Sequence, residues 1–371
     1  MREVEGGKVS GRQLAALLVL TRTMAVTMTF PTAAAVKPPQ DIWIVTLLGT
    51  LVSVLFVLLV ARLGLRSPDK TIIEQAELLL GKYLGKLVGI VLVWYWMSVA
   101  CGAARELGEA YTVAIMPETP VLVFMVATVF LAANAARNGL EVVGRMGESI
   151  LWVVLFFAAL VLVLPYDQMR FKNLAPVLAR GFRPLMLPTG TVVSFFLEFI
   201  ILGMILPYLA RPRDATCYSV YAVLASGLVM TWFAVALVAV FGPALPDLVM
   251  PAFSLSRMIS IANFFERIEA VTMAAWTLSC VIKLALFLWG CAVGLAQVFG
   301  VSRYQSLVYP LGAMTLALGI LSFESNPALQ RFLRFEVFGV YSLIITVGTT
   351  AVLYLAAFFR SRLPLGRGLR R

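Results

Sequence analysis

Apolar runs of about 20 residues recur along the whole chain, and each is long enough to cross the hydrocarbon core of a bilayer as a helix. Short links that carry most of the charged residues separate these runs. The pattern predicts an all-α integral membrane protein with about ten transmembrane helices, in one polytopic membrane domain over residues 1–371. The predicted spans are 13–35, 41–63, 84–113, 119–136, 147–166, 188–209, 215–242, 266–297, 306–322 and 333–359.

Two stretches between predicted spans, 71–82 and 251–265, alternate apolar and charged residues at helical spacing. Such amphipathic helices lie in the membrane interface. Lys and Arg are enriched in the links on the side of the two termini, so the positive-inside rule places both termini in the cytoplasm. Residues 360–371 then form a basic cytoplasmic tail. One outside loop runs against this bias and carries Arg170, Lys172, Arg180 and Arg183.

The composition supports a membrane protein and argues against several other classes. Hydrophobic residues make up 61% of the chain and charged residues 13%, whereas soluble domains have about 25% charged residues. The net charge of +11 is spread over the links, which favours contact with anionic lipids and not with nucleic acid. There is no histidine, and the four cysteines lack CxxC spacing, so we expect no metal site, no cofactor and no enzymatic activity.

Six ionisable residues nevertheless lie deep within the predicted spans, away from the span ends. Each costs at least ~2.5–3.5 kcal/mol in a bilayer, so such residues persist when they pair with one another or line a polar cavity. Three are basic and three are acidic, as mutual neutralisation requires. They are Arg22, Arg105, Glu106, Glu109, Glu198 and Lys283.

Arg22 and Glu198 occupy matching positions, because each precedes by nine residues a proline near the end of its span, Pro31 or Pro207. We therefore predict two inverted five-helix repeats, at about 13–166 and about 188–359, with helices one and six interrupted. Interrupted helices of this kind bind substrates near the midplane of secondary transporters. The predicted substrate-binding residues are Arg22, Thr27, Met28, Thr29, Phe30, Ser194, Glu198 and Gly203, with Pro31 and Pro207 as hinges.

A second interpretation of the same residues needs no ligand. The prolines would only kink their helices, and Arg22 with Glu198 would form a structural ion pair. Lys283 also has two interpretations, since it lies too deep in the eighth span to reach water easily. It is either a proton carrier or fixed cation, or a lysine satisfied by neighbouring carbonyl groups.

The remaining three charges lie late in the long third span, where Arg105 and Glu109 share one helix face. Because the last turns of this span extend towards the outer interface, we expect a solvated or headgroup-facing position for Arg105, Glu106 and Glu109. Their predicted role is that of coupling or structural charges.

A series of short motifs runs through the chain: Gln13, Pro31, Gln40-Asp41-Ile42-Trp43, Gly81-Lys82, Thr119-Pro120, Gly139-Leu140-Glu141 with Arg145, Ser194-Phe195 with Glu198, and Phe265-Glu266-Arg267-Ile268-Glu269 with Trp276. Their order and spacing resemble those of the spore germination B-subunit family. These are the endospore germination permeases of the amino acid/polyamine/organocation transporter superfamily. The resemblance covers most of the chain.

The resemblance implies the LeuT-like inverted-repeat fold of sodium-coupled amino acid transporters, with a central pocket between helices one, three, six and eight. It also implies a germinant receptor subunit in the spore inner membrane, which binds an amino acid or similar nutrient and acts with A and C receptor subunits. The alternative hypothesis is a proton-coupled amino acid transporter in which Lys283 or Glu198 titrates. A third is a membrane scaffold with a vestigial pocket.

Overall fold

The computed structural model describes residues 6–27, 39–258 and 268–362, and this part of the chain is almost entirely helical. The first group of helices is α1 (Gly11–Thr27), α2 (Ile42–Gly64), α3 (Ile72–Leu80), α4 (Lys82–Ala114), α5 (Val121–Arg137) and α6 (Leu140–Val163). The second group is α7 (Met186–Phe196), α8 (Leu202–Ile205), α9 (Asp214–Phe241), α10 (Pro251–Arg257), α11 (Ile268–Phe299), α12 (Gln305–Leu321), α13 (Asn326–Phe332), α14 (Val340–Ser342) and α15 (Gly348–Arg362).

Each of the ten predicted spans is helical over most of its described residues. Among the described residues, seven helical stretches are long and apolar enough to cross a membrane: Pro39–Gly64, Lys82–Ala114, Leu140–Gln168, Arg183–Tyr208, Asp214–Asp247, Glu269–Phe299 and Phe335–Arg360. Helix α5 is a shorter apolar helix of 17 residues, and α1 has 17 residues up to Thr27, where the first described segment ends. Helix α12 bends by 103° into α13.

The packing of the helices repeats between the two halves of the chain. Helices α2 and α9 pack against each other, as do α4 and α11, and these are the second and third spans with their counterparts in the other half. The contact of α1 with α9 is matched by that of α7 with α2. Likewise α11 packs on α5 while α4 packs on α12. Two repeats related by a twofold axis make pairs of equivalent contacts of this kind.

The sixth span departs from a regular α-helix, as predicted, but it does so at a different place and without unwinding. After α7 ends at Phe196, a 3-10 helix covers Leu197–Ile201, followed by the short α8 and a final 3-10 turn at Leu206–Tyr208. The stretch from Gly203 to Leu206, which we expected to unwind, is helical. Gly203 allows close helix packing instead, because a Cβ there would lie 2.8 Å from the Cβ of Ile72. Pro207 lies in the first turn of this final 3-10 helix, where backbone nitrogens have no partner within the helix and a proline is tolerated.

Both predicted interfacial helices have a described helical part. Helix α3 begins with a capping box in which the Thr71 hydroxyl accepts from the Glu74 backbone N–H while the Glu74 carboxylate accepts from that of Thr71. Gly81 joins α3 to α4 with a φ of +86°, a conformation that glycine adopts without strain. Helix α10 covers the start of the second stretch, and residues 259–267 lie outside the described part of the chain.

The last span is irregular at its start. Residues Phe335–Gly339 and Leu343–Val347 form two π-helical turns on either side of α14. Such turns are rare and occur frequently at functional sites. The first of them packs against α7, just before the interruption of the sixth span.

Candidate functional site

Three charged side chains from three distant parts of the chain meet inside the helix bundle. Nη2 of Arg22 on α1 lies 2.5 Å from Oε2 of Glu198. Nζ of Lys283 on α11 lies 3.2 Å from the same oxygen and 3.5 Å from Oε1. The exposed fractions are 0% for Arg22, 2% for Glu198 and 5% for Lys283. One buried carboxylate therefore neutralises part of the charge of two cations, and we call these three residues the charge triad.

Contacts at the start and in the middle of α1 fix its position near the triad. At its start, Ser10 and Gln13 cap the helix reciprocally, and Val9 pairs with the chain just after the sixth span, where its N–H donates to the Tyr208 carbonyl. Nearer the triad, the Ser279 hydroxyl donates to the Leu20 carbonyl over 2.7 Å. Since Ser279 lies one helical turn before Lys283, this bond holds α11 against α1 at the level of the charges.

Glu198 projects from the interrupted part of the sixth span. It lies in the 3-10 helix Leu197–Ile201, and the tight turn there has three residues instead of 3.6. Phe195, three residues earlier, consequently shares its side of the helix, and both line the same cavity. The Phe195 ring also lies below the Arg22 guanidinium, 5.6 Å from its centroid to Cζ, at the distance of a cation–π contact.

Arg22 retains hydrogen-bonding capacity. Its Nε and Nη1 atoms are buried and have no hydrogen-bond partner among the described residues. A buried donor without a partner costs ~1–3 kcal/mol, more when it is charged. Residues 28–38, which continue from α1, lie outside the described residues, and so do the predicted binding residues Met28, Thr29 and Phe30 and the hinge Pro31. Thr27 is the last described residue of α1, and its side chain is not described.

A narrow cavity adjoins the triad on the side of α4. It is small and partly open to the outside of the bundle. Charged residues of both signs line it: Glu106 and Glu198 are acidic, and Lys283 is basic. The other lining residues are Ser98, Val99, Gly102, Ala103, Phe195, Phe332, Leu333 and Phe338.

An aromatic cluster covers the cavity from the start of the last span. The Phe338 ring lies 5.8 Å from that of Phe195 and 5.7 Å from that of Phe332, between centroids. Phe332 ends α13 and Phe338 lies in the first π-helical turn. This wall exists because the chain turns by 103° between α12 and α13 and brings both residues back over the cavity.

The structure separates the three charges predicted late in the third span. Arg105 and Glu109 pair with each other within α4, with Nε of Arg105 2.8 Å from Oε1 of Glu109. Glu106 instead faces the cavity beside Lys283. All three are at most 9% exposed, so the expectation of a solvated position is wrong. The bundle formed by α4, α5 and α11 encloses this turn of the helix.

Two other predicted binding residues do not line the cavity. The Ser194 hydroxyl is fully buried and donates to the Thr191 carbonyl of its own helix. Gly203 packs against Ile72 of α3. No group of three or more metal-ligating side chains occurs within the described residues.

Several cavity residues were not predicted. Ser98 and Gly102 precede Glu106 at intervals of four on α4, and this spacing on one helix face could have revealed them. Phe332 and Phe338 had no such signal, because their position depends on the bend after α12.

Comparison with known proteins identifies the family. Residues 8–327 match the family described as "Spore germination protein". The chain belongs to this spore germination protein family. It is 25% identical over 325 residues to spore germination protein KB of Bacillus subtilis, covering 85% of this chain and 86% of that protein. It is 26% identical over 319 residues to spore germination protein GerQB of Bacillus cereus, covering 83% and 84%.

Solved structures of transporters share the fold of this germination permease. The nucleobase-cation-symport-1 family transporter Mhp1, closed with bromovinylhydantoin bound, superposes with a TM-score of 0.71 at 12% identity, over 98% of this chain and 83% of that one. MhsT in complex with L-phenylalanine superposes with a TM-score of 0.64 at 13% identity, over 96% of this chain and 89% of that one. The LeuT-like, inverted-repeat fold and the family resemblance are both confirmed. The chain is a multi-pass membrane protein of a permease family and not an enzyme.

Proposed function

We propose that this protein is a germinant receptor subunit that binds a small amino acid, or a similar nutrient, in the cavity beside the charge triad. The observation that carries the proposal is the charge of the cavity wall. Glu106 and Glu198 offer carboxylates and Lys283 an ammonium group within one buried space. An amino acid carries one group of each sign, so its ammonium and carboxylate groups both find an opposite charge there.

Ligand recognition of this kind requires a second conformation. The cavity is narrow, and Phe332 and Phe338 cover it, so entry of an amino acid requires displacement of the segment around α13. A ligand shifts such an equilibrium only by its different affinity for the two conformations. In the proposed receptor, A and C subunits detect this shift in the spore inner membrane. The even number of predicted spans and the excess of basic residues in the links on that side support a cytoplasmic position for both termini, and the same basic links favour anionic lipids as partners.

A proton-coupled amino acid transporter is the second candidate function, and one observation favours it. Lys283 and Glu198 form a buried pair of ionisable groups, and intramembrane pairs of this kind carry protons in transporters. The symporter fold of the chain is compatible with either function. A scaffold with a vestigial pocket would bind no nutrient at all.

Purified protein in proteoliposomes distinguishes these functions. We expect saturable equilibrium binding of a radiolabelled L-amino acid without accumulation under an imposed pH gradient. Accumulation driven by that gradient and lost in Lys283→Met would instead identify a transporter. Absence of binding for all standard amino acids would contradict both functions and leave the scaffold.

Two neighbouring carboxylates provide a matched test of the site itself. Glu106→Gln should weaken binding about tenfold or more, since a hydrogen bond to a charged group contributes ~1.5–3 kcal/mol. Glu109→Gln, one helical turn away and outside the cavity, should leave the dissociation constant unchanged. Equal effects of the two variants would argue against binding in this cavity.

A further inference from the structure

Helix α4 contains four glycines, and three of them have an evident structural cause. A Cβ at Gly85 would lie 2.3 Å from the Cα of Glu77, at Gly89 2.7 Å from a methyl group of Val298, and at Gly108 2.7 Å from a methyl group of Val121. These distances are shorter than packed atoms tolerate. At each of the three positions the neighbouring segment can therefore pack this closely only because glycine has no side chain.

Gly102 is different. A Cβ added there would meet no heavy atom of a described residue within 4 Å, so helix packing does not require a glycine. Its backbone is ordinary α-helix in the middle of α4, where glycine costs ~1 kcal/mol relative to alanine. The residue also lines the cavity, between Ser98 and Glu106 on the same helix face. Glycine therefore leaves open a space that no described residue fills.

The cavity beside Gly102 has both apolar and charged lining residues. Val99, Ala103, Phe195 and Phe338 are apolar, while Glu106, Glu198 and Lys283 are charged. In an amino acid held by its charged groups, the side chain would contact the apolar lining residues.

We propose that Gly102 sets the upper size of the ligand, by leaving room for an apolar side chain in a subsite between α4 and the phenyl rings of Phe195 and Phe338. This inference rests on the proposed function and makes it more specific. The ligand class is an amino acid with an uncharged, apolar side chain. A charged side chain would have to be buried against phenyl rings without a counter-ion.

The test compares Gly102→Ala and Gly102→Val with the unchanged protein, using glycine, L-alanine, L-valine, L-leucine and L-phenylalanine as probes in equilibrium binding. One methylene group too many in an apolar pocket changes affinity about 10–200-fold. We expect Gly102→Ala to weaken binding of the largest accepted side chains about tenfold and to spare the smallest. Gly102→Val should extend the loss to medium-sized side chains.

Gly348→Ala is the matched control, because Gly348 also lies in a helix of the last span with no heavy atom of a described residue within 4 Å of an added Cβ, but outside the cavity. It should leave the order of affinities unchanged. Thermal unfolding of the detergent-solubilised variants shows which of them are folded, and Gly102→Ala provides the milder change if Gly102→Val fails to fold.

The outcomes separate this inference from the proposed function. If the unchanged protein binds none of the standard amino acids, the proposed function fails. If it binds some of them and both Gly102 variants keep the same order of affinities, the size limit is set elsewhere and the inference is overturned. A uniform loss for all five probes, glycine included, would also overturn it, because the effect would then not depend on the side chain.

Discussion

Two buried charge clusters of this protein differ in how they are built. Arg105 and Glu109 lie four residues apart on one helix and satisfy each other, so the pair forms wherever that helix forms. The charge triad joins α1, the 3-10 segment of the sixth span and α11, and it exists only when the whole bundle is assembled. It also contains two cations for one carboxylate. We therefore expect the pair within α4 to be structural, whereas in the proposed receptor the triad would change with ligand binding and conformation.

The largest effect should come from Glu198→Gln, which leaves Arg22 and Lys283 buried without their shared carboxylate. Removal of one partner from a buried ion pair costs about 3–5 kcal/mol, and here two cations lose the same partner. Thermal unfolding in detergent should show a large fall in Tm or a failure to fold. Glu109→Gln is the control and should cost less, about 1–3 kcal/mol, since only one cation is affected and the amide still accepts a hydrogen bond. Equal losses of stability in Glu198→Gln and Glu109→Gln would contradict the distinction between the two clusters.

Exchange of the charges within each cluster sharpens the comparison. Arg105→Glu combined with Glu109→Arg should restore most of the stability, to within about 1 kcal/mol, because a pair four residues apart on one helix forms in either order. Arg22→Glu combined with Glu198→Arg should not, because the introduced guanidinium would lie beside Lys283. Double-mutant cycles measured by thermal unfolding give the two coupling energies. Restoration of stability in both clusters would show that Lys283 has little influence on the triad.

The smallest effect should come from Lys283→Met. This variant leaves the Arg22–Glu198 pair intact and replaces a buried cation by an apolar side chain of similar length, so we expect a change in stability within about 1 kcal/mol. Thermal unfolding of Lys283→Met and of Glu198→Gln under the same conditions compares the two losses of stability. A loss as large as that of Glu198→Gln would show that Lys283, and not Arg22, is the main partner of the carboxylate.

The fold was largely predictable because a bilayer imposes strict conditions on a sequence. Long apolar runs can only be helices there, since every backbone hydrogen bond must be satisfied internally. The matching positions of Arg22 and Glu198 before Pro31 and Pro207 also indicated the two repeats. A departure from regular α-helix in the sixth span was predicted, but its position and form were not. Gly203 contacts Ile72, and a glycine that serves packing gives the same local signal as one in an unwound turn.

Identification of the site needed both the sequence and the tertiary structure. The sequence by itself determined which charges lie in the membrane, since each costs free energy that only pairing or a cavity can offset. The sequence also placed Arg105 and Glu109 on one helix face. It did not determine that this pair lies in the interior, or that Glu106, one residue after Arg105, faces the cavity beside Lys283. Only the tertiary structure decided this division, because burial and partner depend on which helices surround each face of α4. The same holds for the open space at Gly102 and the phenyl rings that cover it, which come from segments more than 90 residues distant in the chain.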